Sequence, residues 1–206
     1  HVEAGFDIVR KEMDAYIDGL EEYAGTVDAD LAHVASVASF FISRVDSEVD
    51  ARLDAIGTPE ALALRGKAAI AQAKLAYHAF RHTFSGARWE ALAADGAVVQ
   101  RPLWASTSTK SPAYPDTLYV DELIGPDTVN TLPDATIEAF AHHGTSARTI
   151  DEGVSHAELV WRQLAEVGVD MDDVADKLER DGVASFQKSF DDLLEALAAK
   201  ADELRN

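Results

Sequence analysis

The chain has 206 residues, 47% of them hydrophobic and 27% charged, the balance of a globular fold large enough to bury a real core. Lys plus Arg number 18 against 37 Asp plus Glu, and the formal net charge of −19 sets up a field that repels nucleic acid and anionic lipid. The absence of cysteine excludes disulfides, thiolate metal sites and cysteine nucleophiles, and is compatible with a reducing cytoplasm.

No stretch approaches the roughly 18 apolar residues of a membrane helix. The opening residues, His1 to Gly5, have neither the basic start nor the apolar run of a secretory signal. The chain begins without Met and almost at once inside a helical pattern, so a missing upstream segment is expected. Phe6, Val9, Met13, Tyr16, Ile17 and Leu20 recur at helical spacing and predict an amphipathic helix that Gly25 stops. Residues 34–43 are short, nearly uncharged and rich in β-branched and aromatic side chains, as suits a strand of a parallel sheet.

Thr58-Pro59-Glu60 is a helix start, with a hydroxyl to accept an orphan amide, proline at the first position and an acid at the positive end. The Ala-rich run behind it predicts one helix to about His82, and a shorter helix around residues 89–94 stops at Asp95-Gly96. Residues 98–106 read as a second strand, and Tyr114-Pro115-Asp116 opens a short helix through Leu123. Residues 128–132 read as a third strand, before a helix from Pro133-Asp134 to His143. Ser155 and Glu158 have capping-box spacing, and Gly168 and Gly182 divide the rest of the chain into two further helices.

Strands alternating with helices predict parallel βα units. Three strands make a poor sheet alone, whereas a (β/α)8 barrel has eight in about 250 residues. The expected class is therefore α/β, the C-terminal part of a (β/α)8 TIM barrel with three short parallel strands and a mainly helical remainder. It is read as a single incomplete domain over residues 1–206, with βα units in 1–154 and C-terminal helices in 155–206 packing on the barrel.

Reacting groups of parallel α/β folds lie at the carboxyl ends of strands. That rule selects Ser43, Arg44 and Asp46 after the first strand, Ser106 through Lys110 after the second, and Asn130 and Thr131 at the third. Hydroxyls with one Arg and one Lys suit a phosphate or polyol, since Arg offers a bidentate fork, Lys a point charge, and Ser or Thr both donates and accepts. The plainer alternative is an ordinary Ser/Thr loop, with Arg44 paired to Asp46 or Glu48 on the rim. His78 and His82 share a helix face but lack a third ligand at metal spacing, so they read as a half-exposed surface. Trp104 and Trp161 read as core.

Residues 36–46 (Ser-Val-Ala-Ser-Phe-Phe-Ile-Ser-Arg-Val-Asp), 101–107 (Arg-Pro-Leu-Trp-Ala-Ser-Thr), 119–123 (Tyr-Val-Asp-Glu-Leu) and 127–133 (Asp-Thr-Val-Asn-Thr-Leu-Pro) resemble transaldolases, specifically the longer form found in actinobacteria. The matches run in order over nearly the whole chain and cover roughly barrel strands six to eight. The resemblance implies a cytoplasmic enzyme of the pentose phosphate pathway. Such enzymes move a dihydroxyacetone unit from sedoheptulose 7-phosphate or fructose 6-phosphate to glyceraldehyde 3-phosphate or erythrose 4-phosphate. A lysine forms a Schiff base with the donor, and no metal or organic cofactor is needed.

The resemblance assigns substrate and phosphate binding to Ser43, Arg44, Ser106, Ser108 and Lys110, and the strand-end rule adds Asn130. Ser108 stands where the family has a second phosphate arginine, and Lys110 is the candidate replacement for that charge. The Schiff-base lysine, the acid/base carboxylates and an Asn/Thr pair all belong upstream of residue 1, so no catalytic residue is assigned within the chain. Lys67 and Lys74 read as mid-helix residues. A second reading is a self-standing, non-catalytic helical α/β interaction module, whose sheet edges pair with a second copy or are wrapped by its own C-terminal helices, and a third is a fragment whose partner is the missing N-terminal half.

Overall fold

The structure, a computed structural model, describes residues 4–205, with side chains described from 11 to 201 and at Leu204. His1 to Glu3 lie outside it, as do the side chains of Phe6 and Val9 from the expected stripe. Residues up to Val169 form one compact unit and those from Asp170 a second.

In the first unit, β1 (Val37–Phe41), β2 (Arg101–Ala105) and β3 (Val129–Asn130) form a parallel sheet in the order β1-β2-β3. Val37 stands opposite Arg101, Phe41 opposite Ala105, and Leu103 opposite Val129. Each apolar run therefore holds a strand, shorter than the run itself. Pro102 is tolerated in the central strand because of the alternation of a parallel ladder. Arg101 donates to Ser36 on the β1 side, while Trp104 accepts from Thr131 on the β3 side. Pro102 thus faces β3 one step before that pairing begins, where no donor is required.

The first strand is the main correction. It ends at Phe41, and α2 (Ile42–Ile56) follows with no loop between, so Ser43 and Arg44 occupy the first turn of a helix rather than a strand end. The β-like composition of Ile42 and Ser43 conceals the switch. Its signal is the buried stripe Ile42, Val45, Val49 and Leu53, at spacings of three and four.

The helices are α1 (Ala4–Ala24), α3 (Pro59–Leu62), α4 (Ala68–Thr83), α5 (Ala87–Ala94), α6 (Leu118–Glu122), α7 (Asp134–His143) and α8 (Val154–Glu166). Thr58 accepts the Ala61 amide at 3.2 Å, as its position before Pro59 predicts. The long helix expected from there to His82 is broken at Gly66, which has φ 70°, so Lys67 precedes α4 instead of lying mid-helix. Nor does the Ser155/Glu158 box cap α8. That helix starts at Val154 behind Gly153, whose left-handed φ of 67° turns the chain into it.

One face of the sheet is core and the other is open. Ala38 and Trp104 are buried, with the Trp104 Nε1 donating to the Leu123 carbonyl at 3.2 Å, while Val37, Phe41 and Arg101 are exposed. Trp104, Tyr77, Tyr119, Phe80, Leu123 and Ile150 are the bulk of the main core, and Trp161 is buried too. Ile17, Leu20, Leu31, Trp89 and Leu92 form a smaller cluster joining α1 to α5.

Two helices borrow their caps. Phe41 and Lys67 stand at the N-cap positions of α2 and α4 and make no side-chain cap bond. The Ser106 carbonyl accepts the Ser43 amide of α2 at 3.1 Å. In turn Asp46 of α2 accepts the Ala69 amide of α4 at 2.8 Å and, on its other oxygen, the Tyr119 hydroxyl at 2.7 Å. Asp46 is 2% exposed.

The second unit is a single helix, α9 (Met171–Arg205), which runs through Gly182 without the expected break. A mid-helix glycine costs only about 0.5–1 kcal/mol. Lys177 and Lys188 each pair with an aspartate one turn on, and Val183, Phe186, Phe190, Leu193 and Leu197 are exposed at spacings of three and four.

Burial raises the Asp46 pKa to about 6, against the pull of its hydrogen bonds. The folded state therefore holds a proton here that the unfolded chain has already released. This group's contribution to stability is fully present below about pH 4 and is lost as the pH rises through about 6, a change on the order of 1–3 kcal/mol. Urea denaturation between pH 4 and 7 should show that slope, and Asp46→Asn, which keeps an acceptor for Ala69, should remove it.

Candidate functional site

Parallel pairing puts the three strand ends at one edge of the sheet, and side-chain hydrogen bonds tie them together. Ser43 Oγ lies 2.8 Å from Ser106 Oγ, which joins the start of α2 to the end of β2. Thr107 Oγ1 donates to Asn130 Oδ1 at 2.8 Å and lies 3.2 Å from the Thr131 carbonyl, which joins the same loop to β3. Thr131 Oγ1 donates back to the Trp104 carbonyl at 3.3 Å. Ser43, Ser106 and Asn130 thus lie along one row, two hydrogen-bonded pairs joined through the Ser106–Thr107 peptide.

Ser106 is the pivot of that row. Its φ of 57° places a non-glycine residue in the left-handed region. The turn lets its carbonyl and its hydroxyl both meet Ser43, so a strained backbone is held by two bonds to one residue.

The two cations sit at the margins. Arg44 is exposed, with its guanidinium 4.6 Å from the centre of the Phe41 ring. The rim pairs considered for it are taken up otherwise: Asp46 binds Ala69 and Tyr119, and Glu48 accepts from Arg52 at 2.9 Å. Lys110 is exposed and donates to Ser108 at 2.9 Å. The other lysines have different settings. Lys67 is exposed ahead of α4, and Lys74 is buried in an ion pair with Glu122 at 2.8 Å.

His78 and His82 are both exposed on α4, and among the described residues no group of three His, Cys, Asp or Glu could hold a metal ion. No described helix is long and apolar enough to cross a membrane.

Several organising residues escape a reading of the sequence. Thr107 is fully buried and holds Asn130, yet within Ser-Thr-Ser-Thr it looks like any loop hydroxyl. Asp46 reads as a rim acid, although its spacing of four to Asp50, continued at Asp54, marks one face of α2. Asp50 accepts the Gly66 amide at 2.9 Å and the Tyr114 hydroxyl. Burial and that contact push the Tyr114 hydroxyl well above its ordinary range.

Thr107→Val should leave the Asn130 oxygen without its buried donor and cost about 1–3 kcal/mol. Urea unfolding measures this, and a loss below a few tenths would deny Thr107 its part in the row.

A family model described as transaldolase/fructose-6-phosphate aldolase matches residues 15–197. The transaldolase of Frankia alni is 55% identical over 195 residues, covering 94% of this chain and 52% of the relative. That of a Parafrankia strain is 58% identical over 186 residues, 90% of this chain and 50% of the relative. The Mycolicibacterium smegmatis transaldolase is 52% identical over 194 residues, 94% and 52% respectively. The chain spans about half the length of these curated relatives. An α/β unit of three parallel strands, matched over most of its residues at such identities, belongs to the transaldolase/fructose-6-phosphate aldolase family.

Proposed function

We propose that this chain is the sugar-phosphate-binding C-terminal part of a cytoplasmic transaldolase. In the intact protein a lysine amine, contributed by the part upstream, condenses with the ketose carbonyl of fructose 6-phosphate or sedoheptulose 7-phosphate and releases water. The protonated imine takes up the electron pair when the carbon–carbon bond breaks and the first aldose phosphate leaves. The resulting enamine adds to glyceraldehyde 3-phosphate or erythrose 4-phosphate, and hydrolysis frees the amine.

The observation that carries this reading is the hydrogen-bonded row across adjacent strand ends, flanked by Arg44 and by the Ser108–Lys110 loop. Arg44 and Lys110 supply positive charge to a phosphate, and Ser106, Ser108 and Asn130 supply hydroxyl and amide partners. Ser43 fixes Ser106. In a chain of net charge −19 these local cations, with the amide-rich start of α2, draw the anionic end of a sugar to the rim. Lys74, inside α4, is paired with Glu122, which supports leaving the nucleophile upstream.

The second reading, an interaction module, is favoured by the exposed Val37 and Phe41 on a strand paired on one side alone. A self-standing species of monomer mass in sedimentation, with no affinity for sugar phosphates, favours it over the first reading.

Borohydride trapping with fructose 6-phosphate should label a full-length family member and leave this chain unlabelled. Labelling at Lys110 or Lys74 would overturn the division of roles. Arg44→Ala and Lys110→Ala should each weaken fructose 6-phosphate binding about tenfold, the loss expected for one charged hydrogen bond.

A further inference from the structure

Asp50 lies one turn beyond Asp46 on α2 and holds two groups from other segments. Its Oδ1 accepts the Gly66 amide at 2.9 Å and its Oδ2 accepts the Tyr114 hydroxyl. The Tyr114 ring rests against Gly66 so closely that a Cβ there would stand 2.8 Å from Cζ and 2.9 Å from Cε1. With φ at 70°, that position requires glycine for its backbone as well as for the space.

Tyr114 ends the segment that leaves β2. Its amide is bonded to the Ser111 carbonyl at 3.2 Å, and the Ala113 amide to the Ser111 hydroxyl at 3.3 Å. Residues 106–114 are therefore fastened to α2 at both ends, at Ser106 by Ser43 and at Tyr114 by Asp50. Between these ties stand Ser108 and Lys110. Lys110 and Ser111 line a cleft of about 280 Å³ together with Asp50 and Tyr114.

We infer that the Tyr114–Asp50–Gly66 contact is a latch that closes residues 106–114 into a loop of set shape on α2. Tyr114 is thus a positioning residue for Ser108 and Lys110, an assignment of role that rests on the sugar-phosphate reading above. The physical reason is loop closure. Tied at both ends the segment samples few shapes, and with one tie released the Lys110 ammonium spreads over many. A phosphate must then re-order the loop as it binds, which weakens affinity without removing any contact to the ligand.

Tryptic cleavage after Lys110 reads the latch directly, and cleavage after the buried Lys74 reads global opening. Tyr114→Phe keeps the ring on Gly66 and removes the hydroxyl. It should speed cleavage at Lys110 about tenfold, the effect of one hydrogen bond to a charged group, and leave Lys74 protected. Gly66→Ala, which displaces the ring, should do the same. Asp50→Asn should fall between wild type and Tyr114→Phe, because an amide still accepts from Gly66 and donates to the Tyr114 oxygen but without the charge.

Fructose 6-phosphate and inorganic phosphate, titrated calorimetrically, should bind Tyr114→Phe several-fold more weakly than wild type. Unchanged cleavage at Lys110 in both latch variants overturns the latch, and faster cleavage with unchanged affinity overturns the positioning role. Wild-type protein that binds neither ligand sinks the sugar-phosphate reading and with it that role, and the cleavage ratio then decides the latch alone.

Discussion

Helix α2 is the part on which the other elements around the site depend, and what it does is trade hydrogen bonds at helix ends. A helix start leaves its first amides without partners, and a missing cap costs about 0.5–2 kcal/mol. Phe41 and Lys67 cannot meet that need. Ser106 at the end of β2 satisfies α2, and Asp46 of α2 satisfies α4. The dependence runs from the sheet to the helix that reads the strand end, and from there to the helix that reads that helix. A carboxylate buried to this degree is tolerated because both oxygens are occupied, one by an amide and the other by the Tyr119 hydroxyl.

This arrangement joins stability to the candidate site through one element. The first turn of α2 holds Ser43 and Arg44, its next turn Asp46, and the turn after that Asp50. The same helix thus presents the polar rim, caps α4 and fastens the loop that carries Lys110. On its carboxylate face Asp46 holds the Tyr119 hydroxyl and Asp50 the Tyr114 hydroxyl.

The sheet adds an asymmetry. Its helix-facing side is packed around Trp104, while Val37 and Phe41 on the other side remain exposed. Parallel sheets are ordinarily covered on both faces. The chain spans about half the length of the curated relatives it matches, and in its three-stranded sheet one face is left without a packing layer.

Local patterns in the chain are enough to announce the fold class. Three apolar runs among helical patterns announce parallel βα units, Thr58-Pro59 marks a helix start, and the hydroxyls and cations near the strand ends mark the rim. These are local signals, carried by residues a few positions apart. Tertiary structure decided the rest. It placed Ser43 on a helix, because strand and helix meet with no turn residue to announce the change. At Gly66, inside the Ala-rich run, the Tyr114 ring forty-eight residues on leaves no room for a side chain. Asp46, which on paper is one more acid in an acidic chain, became a buried cap because its partners lie 23 and 73 residues away. Contacts between distant positions leave no periodicity to read, so only the folded chain discloses them.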